Sequence, residues 1–225
     1  MFTKGFDVFR VTGLGGMMME VVKPLQAALE KQDKADAIAL TRRFLEAGNL
    51  VSFYEEVIPS ILNSIECVDG DYRCVFHEHR KSMMVRSLVE ISYPYVKKHQ
   101  KTLKKEALVM IACLKYETHE LGAVIGSYLF EYYGFKTVLT GADTPLETLL
   151  AGLEDFPTDY LVLSVTNAYN LSEFNKVLSM IRLKHPTLKI FGAGRGAIKH
   201  QLQLDIDGII STSSEIEALI KGEGL

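Results

Sequence analysis

Apolar residues recur three and four positions apart through roughly the first 100 residues, which is the period of an amphipathic α-helix. The pattern predicts three helices, in GMMMEVVKPLQAALEKQ, DKADAIALTRRFLEAG and LVSFYEEVIPSILNSIECV, and Pro59 is expected to kink or split the third. After the turn-forming Asp69-Gly70-Asp71, a fourth helix is predicted from Tyr72 to about His99. Four helices with short connections predict a small helical bundle.

The pattern changes after Glu106, where short, continuous apolar runs alternate with helical segments. The predicted strands lie in ALVMIACL, KTVLT, YLVLSV, LKIFGAG and GIIST. Uninterrupted apolar strands that alternate with helices are typical of a parallel sheet covered on both faces. The expected fold is therefore α/β, with an N-terminal four-helix bundle followed by a flavodoxin-like, doubly wound, five-stranded parallel sheet. The predicted domains are residues 1–100 and 101–225, and the polar, basic stretch KKHQKTLKK is interpreted as a solvated linker.

Composition narrows the classes of function. Apolar residues make up 48% of the 225-residue chain and charged residues 24%, as in ordinary soluble proteins. The net charge of −3 provides no basic field for bulk nucleic-acid binding. No apolar run is long enough for a membrane span, and the start lacks the features of a signal peptide, so a cytoplasmic location is expected. Cys67, Cys74 and Cys113 form no CxxC pair and are expected to be reduced thiols.

Polar residues follow four of the predicted strands, at the points where those strands end. The clusters are Glu117-Thr118-His119, Ser164 with Thr166, Gly192-Ala193-Gly194, and the serine and threonine residues at 211–214. The carboxyl ends of parallel strands share one edge of a sheet, and ligands of open α/β sheets bind there. The sequence therefore predicts a ligand at this edge.

His119 is the residue in these clusters with the most specific chemistry. A neutral imidazole binds transition metals, and a carboxylate on its other ring nitrogen fixes the tautomer; Glu117 or Glu120 could do this. A single histidine is too few for a metal site built from protein ligands alone, so a cofactor would have to supply most of the coordination. Gly122, together with Gly192 and Gly194, is expected to let a bulky ligand approach the backbone.

These residues resemble the signature of the cobalamin-binding domain family, which is Asp-x-His-x-x-Gly, then Ser-x-Leu, then Gly-Gly. Glu117-Thr118-His119-Glu120-Leu121-Gly122 matches the first motif, with Glu in place of Asp. Ser164-Val165-Thr166 matches the second with Thr in place of Leu, and Gly192-Ala193-Gly194 matches the third with one Ala. The three motifs stand at about the family's spacing and on the expected strands.

The helical half is similar to the bundle of the light-sensing, cobalamin-dependent repressors of this family. The matching residues are Pro59, Ile61, Gly70, Val75, Glu78 and His79, so the similarity covers roughly residues 18–220. The chain has no tryptophan, so the upper-face aromatic residue of those sensors is missing, and Val68 or its neighbours occupy the region. Asp69 stands roughly where the sensors carry a second histidine, which His77 could replace.

The resemblance implies a base-off cobalamin with His119 as the lower ligand of cobalt and Glu117 orienting it. Ser164, Thr166 and Gly122 would line the slot for the displaced nucleotide tail, and Glu78 and His79 would face the upper axial group. The implied cofactor-binding residues are Glu117, Thr118, His119, Glu120, Leu121, Gly122, Ser164, Thr166, Gly192, Ala193, Gly194, Glu78 and His79.

Two functions follow from the resemblance. The first is a sensor or regulatory module that holds adenosyl- or methylcobalamin and acts through a protein partner or as a homodimer. The alternative is a corrinoid carrier protein of a methyltransferase system. A flavodoxin-like domain that has lost its cofactor is the third interpretation. Catalysis by this chain alone and direct nucleic-acid binding are not expected, because the chain shows no catalytic set and only about 17 residues precede its first helix.

Overall fold

The computed structural model describes residues 17–63, 67–68, 70–103, 106–166 and 171–222. The chain divides into two compact units, with the boundary between His99 and Gln100. Asp69 lies outside the described residues, as does the GLGG stretch at 13–16, which the sequence does not indicate as a phosphate-binding loop. None of the described helices combines the length and the apolar character needed to cross a membrane.

The first unit contains the predicted helical bundle. Its helices are α1 (Met17–Lys31), α2 (Lys34–Glu46), α3 (Leu50–Ser52), α4 (Ile58–Leu62) and α5 (Tyr72–Lys98). Apolar side chains from these segments form a buried core that includes Leu25, Leu45, Phe53, Ile58, Ile61 and Leu88. The Tyr54 hydroxyl is buried in this core and shares a hydrogen bond with Ser92 Oγ, which satisfies both polar groups.

A π-helical turn, Phe53–Val57, joins α3 to α4 and makes the third predicted helix continuous through Pro59. The Ile58 N–H donates to Phe53 O, five residues back, so one extra residue is inserted immediately before Pro59. A proline lacks the N–H that an α-helix needs and clashes with the preceding turn. A π-bulge is one of the recognised ways in which a helix accommodates such a break.

Cys67 and Cys74 form a disulfide with a Cα–Cα distance of 5.5 Å. The prediction that all three cysteines are reduced thiols is therefore wrong for these two. The reason is the turn before α5, where the Asp71 N–H donates to Val68 O and the Asp71 carboxylate caps the Cys74 N–H. This turn brings residues seven positions apart within disulfide range. Cys113 is a buried thiol.

The second unit alternates strands and helices as the sequence predicts. Its elements are β1 (Leu108–Cys113), α6 (Leu121–Tyr132), β2 (Lys136–Leu139), α7 (Leu146–Asp155), β3 (Tyr160–Ser164), α8 (Leu171–Lys184), β4 (Lys189–Ala193), α9 (Arg195–Lys199), β5 (Gly208–Ile209) and α10 (Ser213–Lys221). All strand pairs are parallel, in the order β2-β1-β3-β4-β5. This is the flavodoxin-like, doubly wound order.

Both faces of the central strands are covered, which explains their continuous apolar sequences. Met110 and Ala112 of β1 belong to the core cluster formed with residues of α7 and α8. Val109, Ile111 and Cys113, which alternate with them, are also buried. The chain moves from β1 outward to β2 and then returns to β3 on the other side of β1. Ligands of such sheets bind at this reversal point, beyond the carboxyl ends of β1 and β3.

Hydrogen bonds and ion pairs to Asp207 hold the short strand β5 in place. Asp207, just before β5, accepts hydrogen bonds from the Ile190 N–H at 2.7 Å, Arg182 Nη2 at 2.8 Å and Lys189 Nζ at 3.0 Å. Arg182 also donates to Leu188 O at 2.8 Å. Because β5 pairs with β4 through few residues, these side-chain bonds stabilise its position at the edge of the sheet.

Candidate functional site at the carboxyl edge of the sheet

Glu117 is the organising side chain at the carboxyl ends of β1 and β3. Its side chain is almost fully buried, and its two oxygens have separate partners. Oε1 accepts the His119 ring Nδ1 at 2.7 Å and the His119 N–H at 2.9 Å, whereas Oε2 accepts the Thr166 N–H at 2.6 Å. Glu117 therefore connects the loop after β1 to the loop after β3.

The electrostatics of Glu117 favour its ionised form. Burial by itself raises the pKa of this carboxyl, but hydrogen bonds from the His119 ring, the Thr166 N–H and the His119 N–H outweigh burial and hold the pKa below its ordinary value of 4.5. Glu117 is therefore a carboxylate at neutral pH, able only to accept hydrogen bonds.

The charge on Glu117 determines the tautomer of His119. Because a carboxylate only accepts, the proton of the neutral imidazole lies on Nδ1, and Nε2 carries the lone pair. The His119 side chain is 39% exposed, so its ring reaches the surface while its Nδ1 is held from below. A histidine in this arrangement has the orientation and tautomer of a metal ligand with a carboxylate partner.

Local backbone geometry explains how Glu117 reaches this position. Directly after β1 the chain makes a turn in which the Glu117 N–H donates to Leu114 O at 2.9 Å. Tyr116 adopts a left-handed φ of 71° within this turn, a conformation that residues other than glycine rarely adopt. The pairing of Cys113 with Ser164 brings the end of β1 level with the end of β3 and places Glu117 beside Thr166.

Glu120 has a different role from Glu117. It is the N-cap residue of α6, yet its carboxylate makes no capping bond; Oε2 instead accepts the Ala142 N–H at 3.0 Å. Of the two acids that could orient His119, the structure assigns the ring contact to Glu117. Thr118 is exposed and Leu121 half-buried beside them.

Ser164 is buried at the end of β3 and hydrogen-bonds the thiol of Cys113 on the neighbouring strand. Burial raises the pKa of that thiol to about 12, although the hydrogen bond with Ser164 by itself lowers the pKa by a smaller amount. Cys113 is therefore a protonated thiol in the layer beneath Glu117 and His119 rather than a nucleophile.

Gly192 and Ala193 are the last residues of β4, and Gly194 is the N-cap of α9; this segment contacts the same edge through Val165. The Val165 N–H donates to Ala193 O at 2.8 Å, and a Cβ at Gly194 would lie 2.7 Å from Val165 O. A Cβ at Gly192 would lie 2.9 Å from the Ala197 Cβ. These glycines were expected to make room for a ligand, but the protein's own packing already requires both of them.

Gly122 differs from those two glycines. A Cβ built at this position meets no described atom within 4 Å, so its lack of a side chain is not explained by the packing of the described residues. It lies in the first turn of α6, three residues after His119. Gly122 is exposed, and the passage of a bulky group beside it stays a prediction. Within the described parts of the chain, no three His, Cys, Asp or Glu side chains are grouped so as to hold a metal ion.

Glu78 and His79 lie in the helical unit, on α5, with His79 Nε2 4.0 Å from Glu78 Oε2. His79 is 67% exposed and Glu78 24% exposed. His77 and Val68 are also exposed. The position of these residues is described within their own unit, so their relation to His119 stays a prediction.

The fourth polar cluster caps a helix. Thr212 and Glu215 form a capping box at the start of α10, and the Ser213 side chain hydrogen-bonds Tyr133. The loop after β2 was not among the predicted clusters, yet its Asp143 Oδ1 accepts the Tyr116 N–H at 2.7 Å. The signal was the polar stretch TGADT, which also follows a strand and ends at the same edge.

The fold and this site together define a flavodoxin-like α/β unit that presents a carboxylate-bound histidine at the reversal point of its sheet and is preceded by a helical unit. No family model matches the chain.

The chain is 26% identical over 178 residues to the HTH-type transcriptional repressor CarH of Myxococcus xanthus, a match that covers 78% of this chain and 58% of the relative. The chain thus spans less than two thirds of the length of that curated relative. In structure it is similar to the monomethylamine corrinoid protein of Methanosarcina barkeri, with a TM-score of 0.70, 16% identity, and coverage of 91% of this chain and 99% of the other. The structural similarity shows a shared fold. The resemblance that the motifs indicated is confirmed.

Proposed function

We propose that this chain binds a base-off cobalamin, with His119 Nε2 as the lower ligand of cobalt. The observation that carries the proposal is the hydrogen bond from His119 Nδ1 to the buried Glu117 carboxylate, which is itself anchored on the Thr166 N–H.

Each remaining residue has a role in holding the cofactor. Gly122, where a Cβ would meet no described atom within 4 Å, would leave space for the nucleotide tail, and Ser164 and Thr166 would line the same slot. The segment 192–194 would pass close to the sugar and phosphate, and Glu78 and His79 would face the upper axial group. When bound, cobalamin would supply a cobalt–carbon bond and its redox chemistry.

The proposed biological role is that of a cytoplasmic sensor or regulatory module that transmits the state of its cofactor to a protein partner or through a homodimer. Its support is the similarity in sequence to a transcriptional repressor and the Glu78–His79 pair on α5. Nucleic-acid binding by the chain itself is not part of the proposal, since its net charge is −3.

A second candidate function is that of a corrinoid carrier for a methyltransferase system. Its support is the fold similarity to a corrinoid protein over nearly the whole of both chains. In that role the chain would carry a methyl group for a separate enzyme and would not itself be a complete catalyst.

The test is to mix the purified protein with hydroxo-, methyl- and adenosylcobalamin, remove unbound cofactor, and record absorbance spectra in the dark and after illumination. The wild type is expected to keep a coloured cofactor with the spectrum of a base-off, histidine-bound corrinoid. His119→Ala is expected to lose the cofactor or shift its spectrum, whereas Asp155→Ala, at the exposed end of α7 and outside the proposed site, is expected to keep the wild-type spectrum and serves as the control.

The two roles differ in these spectra. Preferential retention of adenosylcobalamin, with a spectrum that changes on illumination, supports the sensor. Retention of methylcobalamin equal to that of adenosylcobalamin, with the corrinoid still bound after the cobalt is reduced, supports the carrier. If no cobalamin is retained by the wild type, the proposed function is wrong and the interpretation as a domain without cofactor stands.

A further inference from the structure

Two loops interlock at the carboxyl edge of the sheet. The histidine loop, residues 114–120, follows β1, and the clasp loop, residues 140–144, follows β2. The Cys113 N–H donates to Gly141 O at 3.3 Å, and the Thr144 N–H donates to Cys113 O at 2.9 Å. Leu114 and Thr144 form a further parallel bridge. The pairing of β1 with β2 thus continues beyond the strands into the two loops.

Asp143 makes the contacts nearest to the histidine. Its Oδ1 accepts the Tyr116 N–H at 2.7 Å, and its own N–H donates to Glu117 O at 3.0 Å. These two bonds hold the backbone on both sides of the peptide that joins Tyr116 to Glu117. Asp143 therefore fixes the backbone from which the Glu117 side chain extends.

Both residues at this contact have a left-handed backbone, with φ of 54° at Asp143 and 71° at Tyr116. Aspartate tolerates this conformation better than most residues, whereas an aromatic residue adopts it only where surrounding contacts enforce it. The Asp143 carboxylate, which accepts the Tyr116 N–H, is such a contact. Without it, the turn that carries Glu117 would relax toward an ordinary conformation.

Glu120 attaches the other end of the histidine loop. Its carboxylate accepts the Ala142 N–H at 3.0 Å and makes no capping bond at its own helix. The clasp loop is therefore bonded on both sides of His119, at Tyr116–Glu117 and at Glu120. Only the short segment between these points carries the imidazole.

We propose that Asp143 is a positioning residue for His119, acting through the backbone of Glu117 to fix the direction and tautomer of the imidazole. The proposal rests on the proposed function for what His119 binds, but the hydrogen bonds that carry it are present without any cofactor. Asp143 lies outside the three sequence motifs of the histidine site.

Three variants separate the carboxylate from the backbone conformation. Asp143→Gly allows the left-handed φ but removes the carboxylate that accepts the Tyr116 N–H. Asparagine in Asp143→Asn also tolerates this φ, and its amide oxygen can still accept that hydrogen bond. Asp155→Ala, at the exposed end of α7, removes a carboxylate away from the clasp and serves as the control.

The first measurement uses the cofactor-free protein and the ¹⁵N chemical shifts of the His119 ring. The wild type, Asp143→Asn and Asp155→Ala are expected to show a single Nδ1–H tautomer. Asp143→Gly is expected to show averaged or broadened ring signals, because Glu117 no longer holds one geometry. If a folded Asp143→Gly protein keeps the wild-type signals, or if Asp143→Asn matches Asp143→Gly, the proposal is overturned.

The second measurement is the dissociation constant for hydroxocobalamin. Loss of a residue that orients a metal ligand typically weakens binding by about 10–100-fold, and that range is expected for Asp143→Gly, with Asp143→Asn close to wild type. If no variant, including the wild type, binds hydroxocobalamin while the ring signals change as expected, the proposed function fails and the positioning role stands.

Asp143→Gly could also prevent folding, and Glu120→Ala then provides the test at the other end of the histidine loop. The same broadening of the His119 ring signals is expected, since one of the two attachments is lost. Unchanged ring signals in a folded Glu120→Ala protein would overturn the inference that the clasp loop positions the imidazole.

Discussion

At the scale of single residues, one buried and one half-buried carboxylate, Glu117 and Asp207, organise the α/β unit because each accepts hydrogen bonds from more than one element. Glu117 joins the histidine loop to the segment after β3, and Asp207 joins α8 and β4 to the start of β5. A charge-assisted hydrogen bond is stronger than a neutral one, and a buried donor left without its acceptor loses free energy. Both carboxyls consequently have lowered pKa values.

Asp207 permits a direct test of this effect. Asp207→Ala is expected to lower the free energy of unfolding at pH 7 by about 2–3 kcal/mol, because Arg182 and the Ile190 N–H lose a charged acceptor. Burial alone would raise the pKa of Asp207, but bonds from the Ile190 N–H, Arg182 and Lys189 hold it below the ordinary 3.8. Its contribution is therefore fully present above pH 3.8 and is lost as the pH falls through the lowered value.

The measurement is urea unfolding of the variant and the wild type at a series of pH values. Asp205→Ala is the control, because Asp205 is 71% exposed and its carboxylate lies 3.7 Å from Arg182 Nε. That variant is expected to change stability by less than about 1 kcal/mol. Equal losses in the two variants would contradict the role assigned to Asp207.

At the scale of elements, periodicity predicts the strands and helices well, because their apolar residues face a core. It does not predict the π-helical turn at Phe53–Val57, which depends on the register that Pro59 imposes. Periodicity also does not predict which acid contacts the His119 ring, because Glu117 and Glu120 flank His119 in the sequence. The turn at Tyr116 places Glu117, rather than Glu120, against the ring. The disulfide was missed because it depends on the turn before α5 rather than on a motif.

The disulfide is expected to stabilise the helical unit by restricting its unfolded state. A loop closed by residues seven positions apart corresponds to about 2.5 kcal/mol in the chain-entropy description. The double variant Cys67→Ser, Cys74→Ser should lose this amount under oxidising conditions. The check is thermal unfolding with and without dithiothreitol. Because dithiothreitol reduces the disulfide of the wild type, its addition should remove the difference in stability between variant and wild type. A variant as stable as the oxidised wild type would show that the bond adds nothing.

At the scale of the whole molecule, the sequence predicts the α/β class, the order of elements and a histidine at the sheet edge. The reason is that each of these depends on local pattern or on chain order. The clasp loop could not be predicted in the same way, because Asp143 and Tyr116 are brought together by the pairing of β1 with β2. The glycines at 192 and 194 match a ligand motif, yet contacts within the protein already account for them.

Binding of a cofactor to the folded state alone should stabilise the whole protein by mass action. At a free hydroxocobalamin concentration of 100 times the dissociation constant, the free energy of unfolding is expected to rise by about 2.7 kcal/mol. His119→Ala at the same concentration should gain less, because its dissociation constant is larger. Thermal unfolding followed by circular dichroism checks this, and an equal gain in both proteins would show that binding does not involve His119.

Cys113 gives the molecule a built-in reporter. With Cys67 and Cys74 joined, it is the one unbridged thiol of the three cysteines, and it lies buried beneath Glu117 with a pKa raised to about 12. A thiol in that state reacts with an alkylating reagent only when the sheet edge opens. The rate of alkylation of the intact protein therefore measures how often the histidine loop separates from the strands below it, with no cysteine introduced by mutation.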